Sequence, residues 1–309
     1  MEKTSRKHLL IAISLSVVAF LSAAFALLRV PSKKTGNADW MAALPSDRPL
    51  SSLSLPGTHD SGATHSLFDS AGKCQDASIR EQLDYGARFL DIRLKGVDDS
   101  LSLYHGPIDQ RLSFASVLSS CYAFLNAHSS ETIVMSVKEE QRPSKCTRGF
   151  ETLLSEAIAE GKADRWYTEN AIPTLGEVRG RIVLLSRYAN PTMGFDCGGD
   201  SWRDNATFEM DNGVPFHIQD RYKVSDNATK WSEAAACLSY ADSLSGVSTF
   251  VINFMSGYIS NGLLPLAAPT ARYVNPLVKE HAEEYSFTGI VPFDFLTEDL
   301  ANAIIGVNA

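Results

Sequence analysis

His59 and Asp60 stand side by side in the turn LPGTHDSGA, and a second candidate histidine, His105, ends the run LSLYH. Asp91 and Arg93 are two apart in RFLDIRL, so an extended strand would put both on one face. Lys138, Arg187, Asp220, Asn253 and Asp294 each close a short apolar run. Two histidines from separate segments suit a general base paired with a general acid. Asp294 and Asp60 suit carboxylates that orient them and stabilise their imidazolium forms. Arg93, Lys138 and Arg187 add three cations, which fits an anionic substrate whose charge grows in the transition state, such as a phosphodiester. The same cations stand where calcium or magnesium would need several carboxylates. There is no CxxC pair for zinc. No metal and no cofactor are therefore expected.

Such a set is useful only if the fold gathers it. The candidate strands are 53–57, 88–94, 101–106, 132–138, 181–187, 215–220, 249–254 and 288–294, and the helical stretches are 79–85, 114–127, 148–160, 228–244, 276–284 and 298–305. This alternation predicts an α/β chain folded as a distorted (β/α)8 TIM-type barrel. The link between the second and third strands is too short for a helix, so a perfect repeat is not expected. An open doubly wound sheet is the alternative, but its GxGxxG fingerprint is missing. In a closed barrel the C-terminal strand ends share one mouth, where catalysis is found. Polar residues that end buried strands would then meet there.

The chain has 309 residues, with 44% hydrophobic and 21% charged residues, as an ordinary globular protein has. Its net charge of −8 argues against a general nucleic-acid binder and leaves room for a local basic pocket for one phosphate. Residues 1–8 form a short basic tail. The apolar run 9–28 would span about 30 Å as a helix, enough to cross a bilayer, and is read as a signal anchor or signal peptide. Residues 29–38 read as a linker and 39–309 as the catalytic barrel. Asn205 and Asn227 lie in N-glycosylation sequons. The five cysteines, Cys74, Cys121, Cys146, Cys197 and Cys237, allow two disulfides or five free thiols. Together these features favour a luminal or extracellular domain, membrane-anchored or secreted.

The segments DWMAALPSDRPLSSLSLPGTHDSGA, IREQLDYGARFLDIRL, LYHGP, ETIVMSVKEE, GRIVLLSRY and QDRYKV resemble, in order and in residue type, bacterial-type phosphatidylinositol-specific phospholipase C. The resemblance implies a distorted TIM barrel and a metal-independent reaction. His59 would be the base that deprotonates the inositol 2-hydroxyl, and Asp294 would hold its working tautomer. His105, helped by Asp60, would protonate the departing diacylglycerol oxygen. Arg93, with Asp91 beside it, would bind the phosphate. Lys138, Arg187 and Asp220 would bind inositol hydroxyls, and Tyr222 would line the pocket. The implied partner is a phosphatidylinositol-type phospholipid at a membrane surface, free or glycosylated, acted on by a monomer. The anchor, cysteines and sequons differ from secreted bacterial enzymes and suggest a eukaryotic, fungal relative. The matching stretch for an inositol-stacking loop, 266–276, carries only Tyr273 as an aromatic.

Other residues receive structural readings. His65, His128, His217 and His281 are expected to be surface or structural, and Trp40, Trp166, Trp202 and Trp231 core or interfacial. The apolar segment 257–270 is either a packed cover or a rim that lowers Leu263 and Leu264 into lipid. Two other functions compete: an inactive, membrane-tethered inositol-lipid-binding module, and a barrel acting on a glycerophosphodiester or sphingolipid.

Overall fold

The computed structural model describes residues 36–308, apart from 67–70, 245–247 and 261–263. The tail 1–8, the apolar run 9–28, the linker as far as residue 35, and Leu263 lie outside the described residues. The folded unit starts at Gly36, so the last linker residues belong to the barrel.

In chain order the strands are β1 (Leu55–Thr58), β2 (Phe89–Val97), β3 (Ser100–His105), β4 (Ile108–Ser113), β5 (Ile133–Glu139), β6 (Trp166–Tyr167), β7 (Ile182–Arg187), β8 (Phe195–Asp196), β9 (Thr207–Asp211), β10 (Pro215–Gln219), β11 (Lys223–Val224), β12 (Phe250–Asn253), β13 (Tyr258–Ile259) and β14 (Ile290–Phe293). The helices are α1 (Ile79–Tyr85), α2 (Phe114–Ala127), α3 (Phe150–Lys162), α4 (Leu175–Val178), α5 (Asn227–Ser243), α6 (Ala267–His281) and α7 (Glu298–Gly306).

The wall runs β7-β5-β2-β1-β14-β12-β10, all parallel. Two short strands share the far edge of β7: β6 pairs with its start and β8 with its end. They stand as one stave in two pieces, each too short to show a period in the sequence. At the other edge β9 returns antiparallel on β10. Among the described residues no ladder closes this seam. Side chains bridge it instead: Asn212 Nδ2 donates to Asp196 O, and Asn170 Nδ2 donates to Asn212 O. The third candidate strand is not a stave. It is β3, which folds back antiparallel on β2 and forms a hairpin with β4, explaining the missing helix.

Successive side chains on a strand face opposite ways. Leu55, Phe89, Val134, Val183, Leu185, Phe216, Ile218, Phe250, Ile252 and Ile290 fill the lumen as one cluster. Their neighbours Leu90, Ile92, Met135, Val137 and Leu184 pack outward against α1, α2 and α3. Val291 and Phe293 pack outward against α5, α6 and α7. Gly57 faces Phe89 across the ladder, and a Cβ there would lie 2.7 Å from Phe89 Cβ, so glycine lets the lumen close.

Helix α6 starts earlier than the sequence reading, which began at Pro276 and took 266–276 as loop. Pro269 occupies the third helical position, where no intrahelical donor is needed. Pro276 sits inside the helix. All five cysteines are free thiols.

Candidate active site

Extending each inward series by two residues reaches the mouth. The series 55-57 leads to His59, 89-91 to Arg93, 134-136 to Lys138, 183-185 to Arg187, 216-218 to Asp220 and 290-292 to Asp294. Arg93, Lys138 and Arg187 are register partners across β2, β5 and β7, so three cations lie in one row. Neighbouring strands are about 4.8 Å apart, and such a row repels itself unless carboxylates intervene. Asp91 supplies one from the layer below: its Oδ2 accepts from Arg93 Nε and a terminal nitrogen at 3.1 and 2.9 Å, and its Oδ1 from Arg187 at 3.2 Å. Glu140, two residues beyond Lys138, accepts from Lys138 Nζ at 2.7 Å. Asp220 lies 3.8 Å from Arg187.

His59 Nδ1 is 2.8 Å from Asp294 Oδ1, and Arg93 donates to His59 Nε2 at 2.8 Å. A guanidinium can only donate, so Nε2 is the acceptor and Nδ1 carries the proton given to Asp294. Phe254 sets its ring edge-on to His59. Across the mouth, His105 Nδ1 is 3.0 Å from Gly72 O, and its Nε2 is 3.7 Å from Asp60 Oδ2. The antiparallel hairpin delivers His105, and Glu140 ties that hairpin down by accepting from Gly106 N at 2.8 Å. Asp60 takes a left-handed backbone with φ 41°, and its N–H donates to Asp91. That bond helps hold a conformation few residues other than glycine adopt.

Burial alone would lower the His59 pKa, but the charge and hydrogen bond of Asp294 more than reverse it, and the net shift is upward. Asp60 is pushed up by burial against the pull of Arg93 and His105. Burial would also raise Asp91, yet Arg93 and Arg187 hold it well below the usual carboxylate range. Lys138 is lowered by burial and by Arg93.

A cavity of about 380 Å³ opens at this point, lined by His59, Arg93, His105, Lys138, Arg187, Asp220 and Tyr222. Asp60, Asp91 and Asp294 lie buried behind it. The structure thus gathers every predicted site residue. It also adds Glu140, Trp202 and Asp204 to the lining. Trp202, read from sequence as core or interfacial, stacks 3.5 Å from the Arg187 guanidinium and donates to Asp220 at 2.9 Å. Tyr222 donates to Asp204 at 2.8 Å. Glu140 was legible as the next inward residue after Lys138; Trp202 comes from an irregular loop and left no period. Asn253, the polar end of β12, faces away from the mouth and bonds Gln219 and Ala234 O. His128 bonds Asp39, His217 stacks on Tyr240, and His281 bonds Glu284. Both sequon asparagines are engaged: Asn205 with Lys223 backbone, Asn227 with Thr270 and Pro269.

A parallel barrel whose mouth sets two histidine–aspartate pairs around a row of cations is built to move protons at a compact anion. Residues 46–188 match the family model for the phosphatidylinositol-specific phospholipase C X domain. A 1-phosphatidylinositol phosphodiesterase of Staphylococcus aureus is 33% identical over 255 residues, covering 77% of this chain and 81% of that protein. The Listeria monocytogenes enzyme of the same name is 36% identical over 208 residues, 63% of this chain and 61% of that one. Among solved structures, the S. aureus phosphatidylinositol-specific phospholipase C superposes with a TM-score of 0.80 at 28% identity, covering 90% of this chain and 99% of that one. The Listeria counterpart gives 0.72 at 28% identity over 88% and 99%. The chain belongs to the phosphatidylinositol-specific phospholipase C family.

Proposed function

We propose that this protein cleaves phosphatidylinositol, or a glycosylated inositol lipid, into diacylglycerol and a cyclic inositol phosphate. The observation that carries this reading is the His59–Asp294 pair facing the His105–Asp60 pair across Arg93. A substrate phosphate draws Arg93 onto its non-bridging oxygens and frees His59 Nε2. His59 then takes the proton of the inositol 2-hydroxyl, whose oxygen attacks the phosphorus within the same molecule. The nucleophile is already in place, so the protein supplies mainly proton transfer and charge stabilisation. The bond to the glycerol oxygen breaks, and that oxygen takes a proton from His105. Asp91 locks Arg93; Lys138, Arg187, Asp220 and Tyr222 receive the inositol hydroxyls. Arg93 stands in for the charge of a metal ion, so turnover continues in chelator.

The test follows cyclic inositol phosphate release from phosphatidylinositol in chelator, for wild type, His59→Ala and His105→Ala. Losses of about 10²-fold or more in both variants are expected. Equal turnover in all three would remove the proposed base and acid, and turnover restored only by calcium would remove metal independence. An inert wild type would favour the binding module.

The substrate lies in a membrane, and the S. aureus relative is described as binding membranes. Leu264, 49% exposed, is the residue we assign to the lipid interface. Among the described residues no helix is long and apolar enough to cross a bilayer; the run 9–28, which we propose as the anchor, lies outside them.

A further inference from the structure

Cys74 takes no part in the reaction above, yet it lies buried between both histidine–aspartate pairs. It is 1% exposed, and its Sγ is 4.0 Å from His105 Nδ1. One ligand atom each from Cys74, Asp60 and His105 lie within 4.8 Å of one another, and the same holds for Cys74, His59 and Asp294. A thiol alone would mean little. The independent observation is Asp60 Oδ2, which belongs to a residue 2% exposed and has no hydrogen-bond partner. A buried carboxylate oxygen without a donor is costly. This oxygen faces His105 Nε2 and Arg93 Nε, each at 3.7 Å and beyond hydrogen-bond distance. When Nδ1 donates to Gly72 O, a neutral His105 also presents a lone pair at Nε2. Two acceptors then confront each other, and a cation between them would relieve their repulsion.

In the reaction that cation is a proton. The thiol makes a second occupant available. Thiolate, imidazole and carboxylate form a zinc donor set, and three protein ligands leave a fourth position for water. Calcium and magnesium prefer oxygen alone. Zinc bonds of about 2.0–2.3 Å place tetrahedral ligands roughly 3.3–3.8 Å apart. Asp60 Oδ2 and His105 Nε2 already stand at 3.7 Å, and Cys74, whose 4.0 Å contact is with the ring's Nδ1, must swing toward Nε2 to complete the set. The surroundings tolerate added positive charge: Arg93, Lys138 and Arg187 are met by Asp60, Asp91, Glu140 and Asp220, with Asp294 behind His59. The alternative set offers Asp294 Oδ2, likewise without a hydrogen-bond partner, but both nitrogens of His59 are already engaged, Nδ1 with Asp294 Oδ1 and Nε2 with Arg93.

We propose that Cys74, Asp60 and His105 form an inhibitory zinc site inside the catalytic mouth. Zinc there occupies the imidazole lone pair that must carry the leaving-group proton, so the ion and turnover exclude each other. The inhibition rests on the phosphodiesterase reading; the binding does not.

The test uses the full chain, stripped with chelator and dialysed. Zinc affinity is measured by competition with a colorimetric zinc chelator, and activity is followed on phosphatidylinositol vesicles during zinc or magnesium titration. One zinc per chain is expected, with turnover lost as the site fills, restored by excess chelator and unaffected by magnesium. Cys74→Ser and Cys74→Ala, each checked by thermal melting, should weaken zinc binding by about 10–100-fold or more. Each variant's rate in zinc, relative to its own metal-free rate, should then stay near wild type without zinc. Asp60→Asn, read by binding alone, should weaken zinc similarly, and Asp294→Asn should not. Unchanged affinity in both Cys74 variants overturns the proposal, as does loss in Asp294→Asn with retention in Asp60→Asn. Zinc bound through Cys74 by a chain inert without metal would support the site and remove the phosphodiesterase reading.

Discussion

Arg93 holds the lone pair that His59 needs, so the resting site is latched until an anion arrives. The other side of the ring belongs to Asp294, which raises the His59 pKa above its ordinary 6.5 in spite of burial. A base works only when neutral, so kcat/KM should fall on the acid side with an apparent pKa above 6.5. Asp294→Asn should move that limb to lower pH and reduce turnover by about 10²–10⁴-fold, as a pH–rate profile will read. The same shift is a stability statement. A histidine with a raised native pKa stabilises the fold fully below its unfolded value and loses this as pH rises through the folded one. The stability gap between wild type and Asp294→Asn in denaturant melts should therefore be widest in acid and narrow as pH rises. These residues were legible because alternation along a strand is rigid: once 55 and 57 face the lumen, 59 must. Asn253 misled because it has the polarity of a site residue but the opposite parity; Phe254 is the inward one.

Between residue and barrel stands the β3–β4 hairpin, an element that looked like a stave. Its strand period resembles that of its neighbours, and only the short link to β2 betrayed it. It carries His105 and is fastened to β5 through Glu140 and Gly106 N. Glu140→Ala should loosen that fastening and lower kcat by about tenfold. Glu140→Gln keeps an acceptor for the Gly106 amide and should lose less; steady-state kinetics of both variants decide. Equal losses would assign Glu140 to charge balance along the cation row instead. Helix α6 was misread for a different reason. Its two prolines look like breakers, yet the first falls where helices accept proline. Just before it, Leu264→Ser should weaken binding to phosphatidylinositol vesicles in a sedimentation assay while sparing hydrolysis of a soluble inositol substrate; equal losses would make Leu264 a packing residue.

At the scale of the molecule, a buried ion pair sits beside the strand starts, at the end of the barrel opposite the mouth. Arg88 donates twice to Glu131 Oε2, at 2.9 and 2.7 Å, and its remaining donors reach Leu83, Ala87, Asn37 and Ala38 carbonyls. Nothing in the sequence marks this pair, because each partner precedes its strand and neither lies in a period. Arg88→Met strands a buried carboxylate and should cost about 3–5 kcal/mol in a denaturant melt; adding Glu131→Leu should recover much of it. The wall itself holds one more consequence. A closed barrel has no free strand edges, but among the described residues this one retains them along the seam between its two-piece stave and β9. Such edges invite pairing with other chains, and charges along them discourage it. Strand β9 carries Glu209 and Asp211 on its exposed side. Neutralising that acidic margin turns the seam into a template for strand addition, and self-association at high concentration becomes the cost of a barrel fastened by asparagine side chains rather than by its own backbone.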